Sequence, residues 1–155
     1  MNIDCCNFNL FISQIVLNVF KKYIQDDEQS PESGGIVTGK VYENDMIEIL
    51  NCSEPSELDT SSRYNFKRSF QTAQVFIEKQ FEQSNGEEIY LGEWHTHPED
   101  YPKPSNLDIK SFIKTISQNR LNSKTHFMII VGRVSIYVGI YNNKKLKKRI
   151  TINRI

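Results

Sequence analysis

The sequence His95-Thr96-His97-Pro98 is the feature that most constrains how this chain folds. It follows an apolar run at residues 89–91, which predicts a strand. Because side chains alternate between the two faces of a strand, both imidazoles should point the same way. Neighbouring neutral imidazoles are ligands that zinc and similar metals accept. Pro98 has no backbone N–H to donate, so the strand should end there.

A carboxylate follows within reach of the two histidines. Asp108 comes eleven residues after His97, across a loop with Pro102 and Pro104 that is long enough to return the carboxylate to the imidazoles. Together with His95, these residues would supply three protein ligands. A structural zinc site usually closes with four protein ligands, whereas a catalytic site leaves one position for water. The pattern therefore favours a catalytic metal centre.

The order of these residues matches a known motif. Histidine-x-histidine-proline, followed after a spacer by serine-x-x-aspartate, resembles the JAMM motif of the JAB/MPN metalloproteases. The residues that match it in order and spacing are His95, His97, Pro98, Ser105 and Asp108. The longer string at residues 92–98 resembles the prokaryotic JAB branch of that family. This branch includes the deconjugating peptidases of bacterial antiphage operons of the CBASS type.

The resemblance assigns a role to each residue of the motif. It implies that His95, His97 and Asp108 are the metal ligands and that the cofactor is Zn²⁺. The family pattern also includes a glutamate beside an upstream strand that contains glycine, and the segment 31–39 nominates Glu32. Glu32 would act as the general base, and the Ser105 hydroxyl would share the developing oxyanion charge with the metal.

Two of these assignments have alternatives. Glu93 lies on the same predicted strand face as the histidines and could serve as the base or orient an imidazole. The family's glutamate comes from a separate segment, which favours Glu32. Ser105 and Asp108 also resemble an N-terminal capping pattern, although a capping box prefers Glu or Gln at its last position. The capping role and the catalytic role of Ser105 are compatible.

The same resemblance implies a function. We expect a zinc-dependent isopeptidase or peptidase that cleaves after the C-terminal tail of a ubiquitin-like or tail-conjugated protein. In the antiphage branch the conjugated protein is a nucleotidyltransferase. Two alternatives stay open: a hydrolase that processes a ubiquitin-like or sulfur-carrier precursor, and a catalytically inactive MPN scaffold. A deaminase is disfavoured because no Pro-Cys-x-x-Cys sequence follows a His-x-Glu.

Composition narrows the class of protein. A length of 155 residues predicts one domain that spans residues 1–155. Nineteen basic residues balance nineteen acidic ones, which argues against a nucleic-acid binder. No apolar run is long enough to span a membrane. The odd number of cysteines (Cys5, Cys6 and Cys52), their lack of redox or metal spacing and the absence of a signal peptide predict a cytoplasmic protein.

Periodicity predicts an α+β domain with α-β-α layers and a mostly non-parallel sheet. We expect helices at 9–25, 70–82 and 106–120, and strands at 34–42, 46–51, 125–131, 134–142 and 147–152, besides the strand that leads into the histidines. Residues 53–66 should form a long surface loop, either a substrate-facing flap or a solvated connection. The resemblance implies the JAB/MPN (cytidine-deaminase-like) fold, a curved mixed sheet flanked by helices.

Three details of the elements can be checked against a structure. The glycines of the segment 34–42 should mark a bulge or a close approach of other groups. The basic cluster at 144–149 should protect an edge strand, with a docking surface for an acidic partner as the alternative. The apolar positions expected on the buried sides of the second and third helices are Phe70, Ala73, Ile77, Phe81, Ile109, Phe112, Ile113 and Ile116.

Overall fold

The computed structural model describes residues 1–5 and 8–153, which form an eight-stranded sheet, a two-stranded hairpin and three helices. Cys6 lies outside the described residues. In chain order the elements are β1 (Asn2–Asp4), β2 (Asn9–Ile12), α1 (Gln14–Lys22), β3 (Gly34–Val41), β4 (Met46–Cys52), β5 (Thr60–Ser62), β6 (Asn65–Lys67), α2 (Phe70–Gln83), β7 (Ile89–Thr96), α3 (Asn106–Gln118), β8 (Thr125–Val131), β9 (Ser135–Asn142) and β10 (Lys145–Asn153).

The large sheet is mixed, as the sequence predicted. Its strands lie in the order β1-β2-β4-β3-β7-β8-β9-β10. β2 pairs with β4 in parallel and β7 pairs with β8 in parallel, whereas the other neighbours are antiparallel. β7 therefore lies between β3 and β8, so both edges of the strand that leads into the histidines are paired.

Helices cover both faces of the sheet, which confirms the predicted layers. On one face, Val16 and Phe20 of α1 pack into a core that includes Trp94 of β7. On the other face, Ala73 of α2 and Phe112 of α3 pack against a second core. Within the part of the chain that the structure describes, no helix is long and apolar enough to cross a membrane.

The first helix is shorter than the predicted 9–25. Residues Asn9–Ile12 form β2, a strand that pairs with β4. Leu10 and Ile12 are both buried, so Ile12, which fits the helical pattern, also alternates with Leu10 at period two. Ser13 then begins α1 as its N-cap, because its hydroxyl accepts a hydrogen bond from Val16 N at 3.2 Å. The predicted helix was therefore wrong at its start: it included β2, and the cap at Ser13 was not predicted.

Residues 53–66 do not form a structureless loop. β5 and β6 pair as an antiparallel hairpin, with Thr60 opposite Lys67 and Ser62 opposite Asn65. Asp59 anchors the base of this hairpin, because its carboxylate accepts hydrogen bonds from Ser56 N at 2.7 Å and Ser69 N at 2.6 Å. The strands are polar and three residues long, so the sequence shows no hydrophobic alternation that would have predicted them.

The glycine prediction and the edge-strand prediction are confirmed. The pairing of β3 with β4 shifts register between Thr38 and Gly39, and a Cβ on Gly39 would collide with the backbone of Glu48. β10 is the last strand of the sheet, and its residues alternate between exposed and half-buried positions. Its basic side chains therefore lie on an edge strand, where charge discourages pairing with other chains.

The helical stripes were predicted less accurately. Ala73, Phe112 and Ile116 are buried as expected. However, Phe70 is 69% exposed, and Phe81 and Ile113 are also exposed. Phe70 is the first residue of α2, and Ala73 is the residue of this helix that is buried. Periodicity identifies the apolar side of a helix but not how far its partner surface extends.

His126 of β8 is a buried histidine with unusual surroundings. Neither ring nitrogen has a hydrogen-bond partner among the described residues, and the ring packs against Tyr90 with the centroids 5.9 Å apart. Burial lowers the pKa of His126 to about 4. In the folded protein the ring is therefore neutral at pH 6, where an unfolded chain would already bind a proton.

This difference predicts a loss of stability in acid. The folded state binds the proton less readily than the unfolded state, so His126 lowers the free energy of unfolding as the pH falls from about 6.5 to about 4. A shift of this size corresponds to at most about 3 kcal/mol. Urea unfolding of the wild type and of His126→Phe at pH 7.5, 6, 5 and 4.5 measures it. The wild type should lose more stability than the variant; parallel curves would contradict the assignment.

Candidate metal centre

His95 and His97 lie at the end of β7, and their rings face each other. The N–H of His97 donates to the carbonyl of Val131 at 3.0 Å, which continues the pairing with β8 by one residue beyond β7. The two Nε2 atoms are 3.1 Å apart and the ring centroids are 4.9 Å apart. The structure thus places both imidazoles on the same side, as strand alternation requires.

The loop after the histidines is fastened to the turn between β8 and β9. Arg133 N donates to Glu99 O at 2.8 Å, and Ser135 N donates to Asp100 O at 3.0 Å. The side chains of Arg133 and Asp100 also form an ion pair at 2.7 Å. These contacts fix the path of residues 98–105, which lead to the start of α3. The loop therefore returns Asp108 to the histidines along a defined route.

Ser105 and Asp108 begin α3 with a capping box. Asp108 N donates to Ser105 Oγ at 3.1 Å, and Ser105 N donates to Asp108 Oδ2 at 2.6 Å. Aspartate therefore occupies the position where Glu or Gln is more usual. The box fixes the Asp108 carboxylate, whose Oδ1 lies 3.6 Å from His95 Nε2 and whose Oδ2 lies 3.5 Å from His97 Nε2.

These three side chains have the spacing of metal ligands. Their donor atoms all lie within 4.8 Å of one another. A tetrahedral zinc ion about 2.0–2.1 Å from each donor would hold the donors about 3.4 Å apart. The separation of 3.1 Å between the two Nε2 atoms falls close to that value, and each Nε2 lies 3.5–3.6 Å from a different oxygen of Asp108. Two imidazoles and a carboxylate are also a donor set that zinc binds in catalytic sites. The residues present therefore fit the ion.

The charges of the cluster suit a cation. Burial opposes ionisation of Asp108, but hydrogen bonds from His95 and His97 hold the pKa of its carboxyl well below the usual range. Burial lowers the pKa of His97, yet the hydrogen bond to Asp108 and the charge of Glu32 outweigh it and leave that pKa raised. The cluster thus keeps the Asp108 carboxylate ionised and favours positive charge on the imidazole of His97.

Glu32 reaches the same cluster from a separate segment. Its Oε1 lies 3.7 Å from His97 Nε2, and the residue is only 6% exposed. Its backbone N–H donates to Ser62 O at 2.7 Å, which ties it to the β5–β6 hairpin. Burial raises the pKa of the Glu32 carboxyl to about 7. A carboxyl in this range can accept and release a proton near neutral pH.

Glu93, the alternative to Glu32, has a different partner. Its Oε1 forms an ion pair with Arg68 Nη2 at 2.8 Å, and both side chains are largely shielded from solvent. Glu93 and Arg68 line a groove of about 400 Å³ that runs to His95 and Asp108. The structure therefore places Glu93 in the wall of this groove, paired with an arginine.

The groove lies between the β5–β6 hairpin and α3. Residues of β6 in the hairpin form one wall, and Leu107, Ser111 and Thr115 of α3 form the other. Gly34 allows the hairpin to approach the sheet, because a Cβ there would lie 2.7 Å from Cδ1 of Phe66. This contact supplies a physical reason for glycine immediately after the segment that carries Glu32.

Sequence reasoning missed several residues around the cluster. Glu99 Oε2 lies 3.9 Å from His97 Nδ1, beyond hydrogen-bond distance but close enough for its charge to act on that imidazole. The motif itself offered a signal, because Glu99 directly follows the His-Thr-His-Pro sequence. Gln25 and Thr96 are buried and hydrogen-bonded beside the Glu32 segment. No sequence pattern marks Gln25 as part of the site, because it lies outside every segment of the motif.

Comparison with known proteins finds one matching family and relatives that share one name. The family model described as prokaryotic homologues of the JAB domain matches residues 21–145. A protein of Escherichia coli strain TW11681 named CD-NTase/cGAS isopeptidase is 39% identical over 94% of this chain and 92% of its own length. Proteins with the same name from Pseudomonas aeruginosa and Vibrio cholerae are 33% and 34% identical, each over 84% of this chain and over 82% and 78% of their own lengths.

A solved structure shares the fold. The solution structure of a Desulfitobacterium hafniense protein superposes with a TM-score of 0.59 at 13% identity, over 89% of this chain and 88% of that one. At this identity the likeness concerns the fold alone. Together with the family match, it confirms the fold that the motif resemblance implied.

The spacing of the donors predicts stoichiometric metal binding. Protein purified with zinc should carry about one ion per chain, and His95→Ala or His97→Ala should lose most of it because two donors cannot hold zinc tightly. Elemental analysis measures the zinc-to-protein ratio. His126→Phe is the matched control, because it removes the third histidine of the chain, which lies outside the cluster. Full zinc content in His97→Ala would contradict the assignment.

Proposed function

The chain belongs to the family of prokaryotic homologues of the JAB domain, and we propose that it is a zinc-dependent isopeptidase of this family. The proposed substrate is a CD-NTase, a nucleotidyltransferase, whose C-terminal tail is joined to a lysine of another protein. The names of the relatives support this substrate. The observation that carries the proposal is the set of three donors at metal spacing with the carboxylate of Glu32 beside them.

Each ligand has a structural origin that suits a catalytic site. His95 and His97 come from a paired strand, and Asp108 comes from a capped helix start, so all three are held before a metal binds. When bound, zinc would supply Lewis-acid chemistry, lowering the pKa of water towards roughly 7 and polarising the scissile carbonyl. Three protein ligands leave room for that water, as hydrolytic sites require.

Glu32 would move the proton. Its carboxylate lies beside His97 without belonging to the group of three donors, so it can face a water molecule at the site. We infer that Glu32 takes a proton from the attacking water and delivers it to the amine nitrogen of the leaving lysine. Burial, which raises the pKa of Glu32 to about 7, favours a carboxyl that both accepts and releases a proton.

Ser105 would stabilise the oxyanion. Its hydroxyl oxygen accepts a hydrogen bond from Asp108 N, and this leaves the hydrogen of the hydroxyl available for donation. Ser105 is exposed at the start of α3, next to the ligand Asp108. A donor of this kind typically contributes about 3 kcal/mol to the transition state. Capping and catalysis therefore use different parts of one hydroxyl group.

The groove supplies a path for the substrate's tail. An extended tail would lie between the hairpin and α3, with its last carbonyl directed at His95 and Asp108. β6 pairs with β5 along one edge, and the other edge offers backbone groups to a peptide. The groove thus favours an extended, protruding tail over a folded loop. We also propose a cytoplasmic location, in keeping with the buried thiol of Cys52.

The decisive test uses the wild type and Glu32→Gln on a defined conjugate. The C-terminal tail of a CD-NTase, taken from the E. coli strain of the 39% identical relative, is joined through an isopeptide bond to a lysine of a carrier peptide. The wild type should release the tail with its carboxylate intact. Glu32→Gln should bind zinc normally and lower kcat by about 10²–10⁴-fold, because proton transfer is lost. Mass spectrometry follows the products.

The chain offers a matched control. Glu88 is a buried glutamate, 5% exposed, that accepts hydrogen bonds from Thr38 and Asn51. It does not belong to the group of three proposed ligands. Glu88→Gln should therefore leave kcat unchanged. Retention of normal turnover in Glu32→Gln would sink the assignment of the base. Cleavage of a linear fusion but not of the isopeptide conjugate would favour precursor processing instead.

A further inference from the structure

The buried amide of Gln25 joins three separate segments of the chain. Gln25 follows α1 and is only 1% exposed. Its Nε2 donates to the carbonyl of Ser30 at 2.9 Å and to the carbonyl of Arg63 at 3.1 Å. Its Oε1 accepts a hydrogen bond from the hydroxyl of Thr96 at 3.1 Å. Both donors and the acceptor of this amide are therefore in use.

Thr96 lies between the two histidines and continues the same network. Its hydroxyl accepts a hydrogen bond from Ser33 N at 3.0 Å, and its backbone N–H donates to Ser33 O at 2.8 Å. The hydroxyl thus accepts from Ser33 while it donates to Gln25. Thr96 is fully buried, so these contacts are shielded from bulk solvent.

These contacts converge on the residues either side of Glu32. Ser30 is held by Gln25, Ser33 is held by Thr96, and Glu32 N is bonded to Ser62 O. Residues 30–33 belong to no helix or strand, so no regular backbone pattern places Glu32. Two single backbone bonds, Glu32 N to Ser62 O and Thr96 N to Ser33 O, hold the segment together with the side chains of Gln25 and Thr96. The carbonyl of Arg63 ties the β5–β6 hairpin, one wall of the groove, to the same amide.

We propose that Gln25 and Thr96 are positioning residues that hold the backbone of Glu32 at the correct distance from His97. The inference rests on the proposed function, in which Glu32 moves the proton. A displacement of about 1 Å at a catalytic group can cost about 100-fold in rate. Neither residue touches the three proposed ligands through a side-chain hydrogen bond, so their loss should impair turnover and spare the metal.

The test compares changes that remove one polar group at nearly constant volume. Thr96→Val removes the hydroxyl and keeps the shape, Thr96→Ser keeps the hydroxyl, and Gln25→Leu removes the amide. Thr38→Val is the matched control, because Thr38 is another fully buried threonine whose hydroxyl donates to Glu88 away from the cluster. For each variant, kcat and KM are measured on the isopeptide conjugate described above. Zinc content and Tm are measured on the purified protein.

We expect Thr96→Val and Gln25→Leu to lower kcat by about 10–100-fold, with KM and zinc content unchanged. Thr96→Ser should restore kcat to within about threefold of the wild type. Thr38→Val should keep kcat even where its Tm falls. Unchanged kcat in Thr96→Val, or an equal loss of kcat in Thr38→Val, would overturn the proposal. If Gln25→Leu does not fold, the three threonine variants still decide the outcome.

A second readout separates this inference from the proposed function. Amide hydrogen exchange of Glu32 and Ser33 reports how firmly the segment is held, whatever the protein cleaves. Exchange at these two amides should rise at least about tenfold in Thr96→Val and Gln25→Leu, and stay unchanged in Thr38→Val. Unchanged exchange would overturn the positioning role. Inactivity of the wild type on the conjugate, together with the expected exchange, would count against the proposed substrate only.

Discussion

Strand β7 pairs with β3 on one side and with β8 on the other, and the candidate site is arranged around this pairing. Backbone hydrogen bonds along β7 hold His95, Thr96 and, through one further bond, His97. Thr96 then holds Ser33, and with it the segment that carries Glu32. The remaining proposed ligand, Asp108, comes from a helix start whose loop is fastened to the turn after β8. The donors thus come from a strand end and a helix start, whereas the proposed base lies in an irregular segment that single backbone bonds and the side chains of Gln25 and Thr96 hold.

This difference explains what the sequence could predict. The two histidines followed from strand periodicity, because spacing of two always places side chains on one face. The return of Asp108 followed from a loop of sufficient length, and Ser105 offered a capping signal that the structure bears out. Glu32 was nominated through family resemblance, since a glutamate beside a proline has no local property that marks it. Its burial and its 3.7 Å approach to His97 depend on distant segments.

The misses share a physical cause. Ile12 fits both the helical pattern and an alternation with Leu10. These residues form a strand because they pair with β4, and the helix begins only after the cap at Ser13. The β5–β6 hairpin has short polar strands, so its pairing and the anchoring carboxylate of Asp59 define it rather than hydrophobicity. Gln25 bonds to carbonyls 5 and 38 residues away. Local sequence patterns carry little information about contacts between such distant positions.

The proposed metal centre can be tested by anomalous diffraction at the zinc edge from crystals grown with zinc. We expect a single strong peak about 2.0–2.2 Å from His95 Nε2, His97 Nε2 and the Asp108 carboxylate, with a solvent oxygen as the fourth ligand. Glu32 should contact that solvent oxygen and remain outside the coordination sphere. Direct coordination by Glu32 would describe a closed structural site with four protein ligands and contradict a hydrolytic role. A zinc-loaded crystal without a peak at these residues would contradict the metal centre itself.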